Sequence, residues 1–208
     1  MGLLALTFLF PSTVRAQRVT PTAEGSAVPT NQLPTDDSTT VKDPDEYTVW
    51  STVLAKKYAD RNYLKLVIRN RTAIDLWHHS EHDGEAFSDL KAKNKAQSLL
   101  ENNFSVKLPC ILMTPEAESK LFYSTPSERK DKGFIEKVHS SWNQFYEEYP
   151  GAQGILTISR VGFNSDKSEA VVYIQNAANV MVASGKLFFL TKKNGTWEVQ
   201  TEEMIWFS

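Results

Sequence analysis

The stretch Trp77–Glu85, WHHSEHDGE, is the part of the chain whose residue types and spacing come closest to a metal site. His78, Glu81 and His82 match the pattern H-x-x-E-H, in which two histidines one helical turn apart bind zinc while the glutamate activates a water molecule. That chemistry needs a helix with an apolar stripe, but Gly84 follows soon after and no such stripe is present. We therefore interpret the stretch as a solvated loop and predict no cofactor. A metal-dependent hydrolase that uses these three residues is the alternative.

The segment Ser159–Asn164, SRVGFN, is the second candidate for chemistry. Arg160 falls in line with apolar residues of an alternating strand pattern, so its guanidinium either pairs with a carboxylate or projects into a cleft. Gly162 within the same pattern predicts a bulge or the close approach of another backbone segment. A structural ion pair is the more ordinary role for Arg160, and binding of an anion is the alternative. The candidate partners in such an ion pair are the carboxylates of Glu169, Glu198, Glu202 and Glu203.

No nucleophile in the sequence has the neighbours that would activate it. Ser159 lacks the G-x-S-x-G surroundings of a hydrolase serine, and His139 is its only distant histidine candidate. Cys110, the only cysteine, lies among apolar residues and is typical of a small buried side chain. We therefore favour a protein without enzymatic activity, although the sequence leaves catalysis open.

The composition is that of a globular protein with one core. The chain has 208 residues, of which 41% are hydrophobic and 23% charged, and this suffices for a single packed domain. A formal net charge of −2 creates no field that would gather nucleic acid. With a single cysteine there is no internal disulfide, so the core alone must supply the stability.

The start of the chain predicts export followed by a tether. Leu3–Phe10 is almost entirely apolar and is followed by small residues at alternate positions, as in a signal peptide that is cleaved between Ala16 and Gln17. The next stretch is rich in Pro, Thr and Ser and has no aromatic residue, which is typical of disorder. The mature protein is expected in the periplasm or outside the cell, with no integral membrane segment. The predicted organisation is a signal peptide at 1–16, a disordered linker at 17–42 and a single α+β domain at 43–208.

Helical patterns dominate the first part of the predicted domain. Asp43 and Pro44 are typical of a helix start, Glu46 would complete a capping box, and an apolar stripe continues to about Ala59. The other elements predicted for this part are a strand at Tyr63–Arg69 and helices at Ser88–Asn102 and Ser127–Tyr149.

The last third of the chain has a period of two, which predicts strands. Asn194-Gly195 fits a type I′ hairpin turn, because both residues tolerate a positive φ. The fold class that follows is α+β, with a C-terminal four-stranded antiparallel meander packed on a long helix, cystatin-like or NTF2-like in outline. The first strand of the meander carries large apolar side chains on both faces, so the helix that bears Trp142 covers one face and another element covers the other. The predicted strands are Gly154–Phe163, Ser168–Gln175, Gly185–Lys192 and Thr196–Phe207.

Two motifs occur together in residues 142–208, the S-R-V-G-F-N strand at Ser159–Asn164 and the G-x-W hairpin at Gly195–Trp197. With the helix that precedes them they resemble an exported bacterial protein family of unknown function. The resemblance implies export, a bacterial source and a single α+β domain. It implies no activity, and therefore no catalytic residue.

These observations favour an exported, non-enzymatic module that binds an unknown small ligand or protein. The predicted pocket is the aromatic-lined space between the Ser127–Tyr149 helix and the meander, because aromatic residues are abundant there. Its predicted lining residues are Arg160, Trp142 and Tyr173. The rivals are the metal-dependent hydrolase described above and a structural envelope protein that forms a homodimer through its sheet.

Overall fold

The computed structural model describes residues 39–59, 61–74, 82–122 and 134–208. Within these ranges the chain forms four α-helices and seven strands. The helices are α1 (Pro44–Leu54), which continues into a π-helical turn at Ala55–Ala59, α2 (Glu85–Lys93), α3 (Pro115–Phe122) and α4 (Phe134–Glu148). The strands are β1 (Lys65–Arg69), β2 (Cys110–Met113), β3 (Ala152–Ile158), β4 (Gly162–Phe163), β5 (Glu169–Asn179), β6 (Val182–Lys193) and β7 (Thr196–Phe207).

The seven described strands form one open, mostly antiparallel sheet. Its order is β2-β1-β3-β5-β6-β7, and the short β4 pairs with β5. β1 runs parallel to both of its neighbours, whereas the remaining pairings are antiparallel. The fold class is therefore α+β, as the sequence indicates. Among the helices in the described ranges, none is long and apolar enough to cross a lipid bilayer.

Helix α1 begins where the sequence predicts, and together with its π-helical turn it reaches the predicted end. The Asp43 carboxylate accepts a hydrogen bond from the Asp45 backbone N–H at 2.9 Å, and Pro44 occupies the first turn. The π-helical turn extends the helical path to Ala59. The predicted capping box does not form, however, because the side chain of Glu46 is buried and bonds to residues far along the chain.

Helices cover both faces of the sheet. Successive residues of a strand point to opposite faces, so in β5 Val172 lies in the cluster beneath α1 while Tyr173 lies in the cluster beneath α2. In β1, Val67 lies in a third cluster, beneath α3 and α4, on the face opposite α1. Both faces of the central strands are therefore apolar because each has its own helical cover. The large side chains of the three clusters include Trp50, Leu54, Leu156 and Phe188 with α1, Phe87, Leu90 and Leu187 with α2, and Met113, Trp142, Phe145 and Ile155 with α4.

The predicted strand at Gly154–Phe163 is divided in the structure. Its first part is β3, its last two residues are β4, and the three residues between them belong to neither strand. Three long strands, β5 to β7, follow as consecutive antiparallel hairpins. The Asn194-Gly195 turn between the last two has φ values of 51° and 80°, as the hairpin prediction requires.

The middle of the chain differs most from the prediction. α2 ends at Lys93 rather than Asn102, and Leu99 instead forms isolated bridges with Thr40 and Arg71. Val41, next to that bridge and two residues before the predicted start of the domain, is buried in the core. β2 and α3 were not predicted. The first residues of the predicted Ser127–Tyr149 helix, 127–133, lie outside the described residues.

Gly162 in β4 is the point where α2 packs most closely on the sheet. A Cβ atom added at Gly162 would lie 2.0 Å from the carbonyl oxygen of Ala86 and 2.4 Å from the backbone nitrogen of Leu90. The close backbone approach that the sequence predicts at this position is therefore confirmed. Only glycine lets the helix backbone rest directly on the strand.

Gly162→Ala is expected to lower the free energy of unfolding by about 1–3 kcal/mol, because α2 must move away from the sheet to accommodate the methyl group. Urea unfolding followed by far-UV circular dichroism measures this change. An unaltered urea midpoint would contradict the tight packing of α2 on β4.

Candidate functional site

The side chains of Arg160 and Glu46 form a bidentate ion pair between the β3–β4 junction and α1. Arg160 Nη2 donates to Glu46 Oε1 at 2.6 Å and Nε donates to Oε2 at 2.9 Å. The Glu46 side chain is 0% exposed and that of Arg160 is 20% exposed. A third donor, the backbone N–H of Val161, reaches Glu46 Oε2 at 2.9 Å. The hydrogen bond from Arg160 to Glu46, the largest influence, raises the pKa of the guanidinium, so the charge on Arg160 is permanent.

The backbone at this junction is tied to both helical layers. Trp50 Nε1 of α1 donates to the carbonyl oxygen of Ser159 at 3.0 Å. Asn94, just after α2, accepts from the Arg160 backbone N–H at 2.7 Å. The Ser159 hydroxyl donates to the Arg160 carbonyl and accepts from the Tyr173 backbone N–H. The S-R-V-G-F-N motif therefore joins α1, α2 and β5 where the sheet changes from β3 to β4.

This arrangement gives Arg160 a structural role. Its partner is Glu46, not one of the four C-terminal glutamates that the sequence suggested. The spacing of Glu46 from Asp43 fits a capping box, and nothing local in the sequence distinguishes that role from a buried ion pair.

The three residues predicted to line one pocket lie in different places. Tyr173 is fully buried in the cluster beneath α2, where its hydroxyl oxygen accepts a hydrogen bond from Trp206 Nε1 at 2.8 Å. Burial raises the pKa of Tyr173 to about 12. Trp142 lies in the cluster of α3 and α4. The structure therefore does not bring Arg160, Trp142 and Tyr173 together.

Trp142 does line a groove, of about 490 Å³, between α4 and the tip of the β5–β6 hairpin. Ligand sites in proteins commonly have volumes of roughly 300–1,000 Å³. Met181 and Val182 at the hairpin tip are 73% and 53% exposed. The groove thus has accessible apolar side chains on one wall, whereas Trp142 on the other wall is 8% exposed. Its lining consists of His139, Trp142, Asn143, Tyr146, Ala178, Asn179, Met181 and Val182.

Hydrogen bonds fix the two walls of this groove. Tyr146 of α4 donates its hydroxyl proton to the carbonyl oxygen of Ala178 at 2.7 Å, which joins the helix to the hairpin. The side chain of Asn179 accepts from the Met181 backbone N–H at 2.8 Å and shapes the turn. A β-bulge interrupts the β5–β6 register between Ala177 and Asn179. Hydrogen bonds within the protein therefore hold both walls of the groove in place. The sequence prediction missed Met181 and Val182, because a strand pattern does not reveal which residues stand at an exposed hairpin tip.

The histidine-rich stretch is described only in part, because His78 and Glu81 lie outside the described residues. The ring of His82 packs edge-on between Phe87 and Phe189, with centroid distances of 5.3 and 4.9 Å. Its Nε2 lies 2.7 Å from the Oε2 of Glu203. The described residues contain no group of three metal-ligating side chains. Metal binding by His78, Glu81 and His82 stays the alternative to the predicted solvated loop, and in this structure the Glu203 carboxylate lies beside His82, one of the three residues.

The candidate nucleophiles are engaged in packing. Ser159 is buried and its hydroxyl bonds to backbone groups on both sides, as described above. Burial raises the pKa of the Cys110 thiol to about 11, so the reactive thiolate is disfavoured at neutral pH. His139 is exposed on α4, at the edge of the groove.

Comparisons with protein-family models, with curated proteins and with solved structures find no match for this chain. The resemblance to an exported bacterial family therefore stays a prediction. Any argument about function rests on the geometry of the described residues.

Arg160→Met is expected to destabilise the protein by roughly 3–5 kcal/mol, because it leaves the Glu46 carboxylate buried without its partner. The double variant Glu46→Leu, Arg160→Met is expected to recover much of that loss, since neither charge is then buried alone. Urea unfolding of the single and double variants measures both effects. Additive losses in the double variant would show that the two side chains do not act as a pair.

Proposed function

We propose that this protein is an exported, non-enzymatic module that binds a ligand in the groove between α4 and the β5–β6 hairpin. The observation that supports the proposal is an open groove of about 490 Å³ with Trp142 on one wall and the exposed side chains of Met181 and Val182 on the other. Large apolar side chains exposed beside a concave surface are characteristic of binding sites.

The lining residues indicate which chemical groups the groove accepts. Met181 and Val182 offer an accessible apolar contact, and the thioether of methionine adapts to aromatic and aliphatic shapes alike. Trp142, which is 8% exposed, adds only a small part of its ring to this surface. Asn143 and His139, both exposed at the edge, offer hydrogen bonds to a polar group. The ligand in this proposal is therefore amphipathic, with an aromatic or branched aliphatic part held against Met181 and Val182, near Trp142, and a polar part at the edge.

The cellular setting in this proposal comes from the sequence. The predicted signal peptide at 1–16 and linker at 17–42 place the domain in the periplasm or outside the cell. The cystatin-like or NTF2-like outline belongs to the same proposal. Arg160 and Tyr173 do not line the groove. Arg160 pairs with Glu46, and Tyr173 accepts a hydrogen bond from Trp206.

Nuclear magnetic resonance of the full chain tests the groove directly. We expect small amphipathic aromatic compounds, such as indole and p-cresol, to shift the indole N–H signal of Trp142 in a saturable way, with Trp142→Phe used to assign that signal. Met181→Asp is expected to weaken binding roughly tenfold or more, because a buried methionine contact contributes roughly 1.5–3 kcal/mol.

Met204→Asp is the matched control, because Met204 is also exposed, at 48%, and does not line the groove. It is expected to bind the compounds as the unaltered chain does. Equal weakening in both methionine variants, or the absence of any compound that shifts the Trp142 signal, would contradict the proposed site.

A further inference from the structure

β7 is one of the two edges of the described sheet, and its two halves differ in what they leave open. In the first half, Lys56 of the π-helical turn donates to the carbonyl oxygen of Val199 at 2.9 Å, so that backbone group already has a partner. In the second half, Met204 is 48% exposed and Phe207 is 80% exposed. An apolar edge of this kind can accept a further strand.

The hydrogen bonds between β6 and β7 show which backbone groups of this edge point outward. Ser208 and Ala183 exchange both of their N–H···O bonds, at 2.9 and 3.3 Å. Bonded and non-bonded pairs alternate along an antiparallel ladder, so the next pair, that of Phe207, is non-bonded, and so is the pair of Met204 two positions further along β6. The backbone N–H and C=O groups of Met204 and Phe207 therefore point away from β6. No hydrogen bond joins these groups to a described residue outside the sheet.

A β-bulge in β7 separates the two exposed side chains. The register to β6 shifts between Gly185 and Lys186, and Ile205 is the extra residue. Ile205 packs against the cluster beneath α2. Met204 and Phe207 lie opposite β6 positions on the other face of the sheet, the face that α1 covers further along the strands. Both exposed side chains thus lie on one face, on either side of the bulge.

We propose that this segment of β7 pairs with the same segment of a second copy of the chain, antiparallel and around a two-fold axis. Met204 of each copy then lies opposite Phe207 of the other, and the outward backbone groups of the two residues bond to each other. Residues that lie opposite each other in an antiparallel pair share a face. The bulge makes this possible, because without it two residues three positions apart would lie on opposite faces.

The charges of β7 disfavour the longer pairings that its edge could otherwise form. Glu202 and Glu203 lie in the middle of the outer half of the strand, so a pairing centred there would place the glutamates of two copies side by side. In the proposed pairing the two Glu202 residues lie about 20 Å apart, at about 3.3 Å per strand position. The carboxylates therefore confine the pairing to the apolar end of β7.

The size of this surface sets the expected strength of the dimer. A standard protein interface buries roughly 800 Å² on each partner, and smaller interfaces are typically weak or transient. Two exposed side chains and a few backbone hydrogen bonds offer less than that area. We therefore expect a dimer with a Kd of about 10–100 µM.

Sedimentation equilibrium of the full chain at about 5–500 µM tests for the dimer and measures its dissociation constant. Phe207→Asp is expected to weaken dimerisation roughly tenfold or more, because it replaces an apolar contact by a charge. Leu64→Asp is the matched control, since Leu64 is 65% exposed, precedes β1 away from the β7 edge, and the substitution changes the net charge by the same amount. It is expected to dimerise like the unaltered chain.

Disulfide cross-linking tests the register of the pairing, in chains that also carry Cys110→Ser. A mixture of the variants Met204→Cys and Phe207→Cys is expected to form a covalent dimer when diamide oxidises the thiols. The reason is that opposite residues of a bonded antiparallel pair have Cα atoms about 5.5 Å apart, which suits a disulfide. Each variant alone is expected to cross-link far less, because the two copies of one residue lie beyond the roughly 7 Å that a disulfide can span.

The proposal is overturned if the chain stays monomeric up to about 500 µM, if Leu64→Asp weakens the dimer as much as Phe207→Asp, or if the single cysteine variants cross-link as readily as their mixture. Phe207 does not line the groove, so Phe207→Asp is expected to bind indole and p-cresol like the unaltered chain. The dimer and the function proposed above can therefore fail independently.

Discussion

Glu46 is a carboxylate removed entirely from water, and the surrounding structure is arranged to satisfy it. A charge in that position is costly unless it is paired and hydrogen-bonded, and Glu46 receives two charged donors from Arg160 and a backbone donor from Val161. The ion pair fixes α1 over the sheet at the point where β3 gives way to β4. Trp50 and Asn94 make hydrogen bonds to the same junction. These bonds hold α1 and α2 on opposite faces of the sheet, at the break between β3 and β4.

The elements that depend on local pattern were predictable. The cap at Asp43, the apolar stripe of α1 and the turn at Asn194-Gly195 are each determined by a few neighbouring residues. The alternation of apolar residues likewise indicated β5, β6 and β7. Glycine at position 162, within a strand pattern, gave a correct indication of close packing.

The features that the sequence did not reveal depend on residues far apart in the chain. The partner of Arg160 lies 114 positions away, in a helix whose start looks like an ordinary capping box. β1 lies between two parallel neighbours. Because parallel strands are not joined by a short turn, no local sequence signal predicts their pairing. The sequence predicts a pocket between the helix that bears Trp142 and the meander, but the wall formed by Met181 depends on where the β5–β6 hairpin turns. Strand register and hairpin length together decide which apolar residues face solvent.

The bulge between Ala177 and Asn179 has a geometric consequence for the groove. One extra residue in a strand bends it and increases its local twist, so the hairpin tip is angled relative to the rest of the ribbon. Met181 and Val182 lie beyond this bend, so the local twist of the bulge sets the direction in which the hairpin tip faces α4.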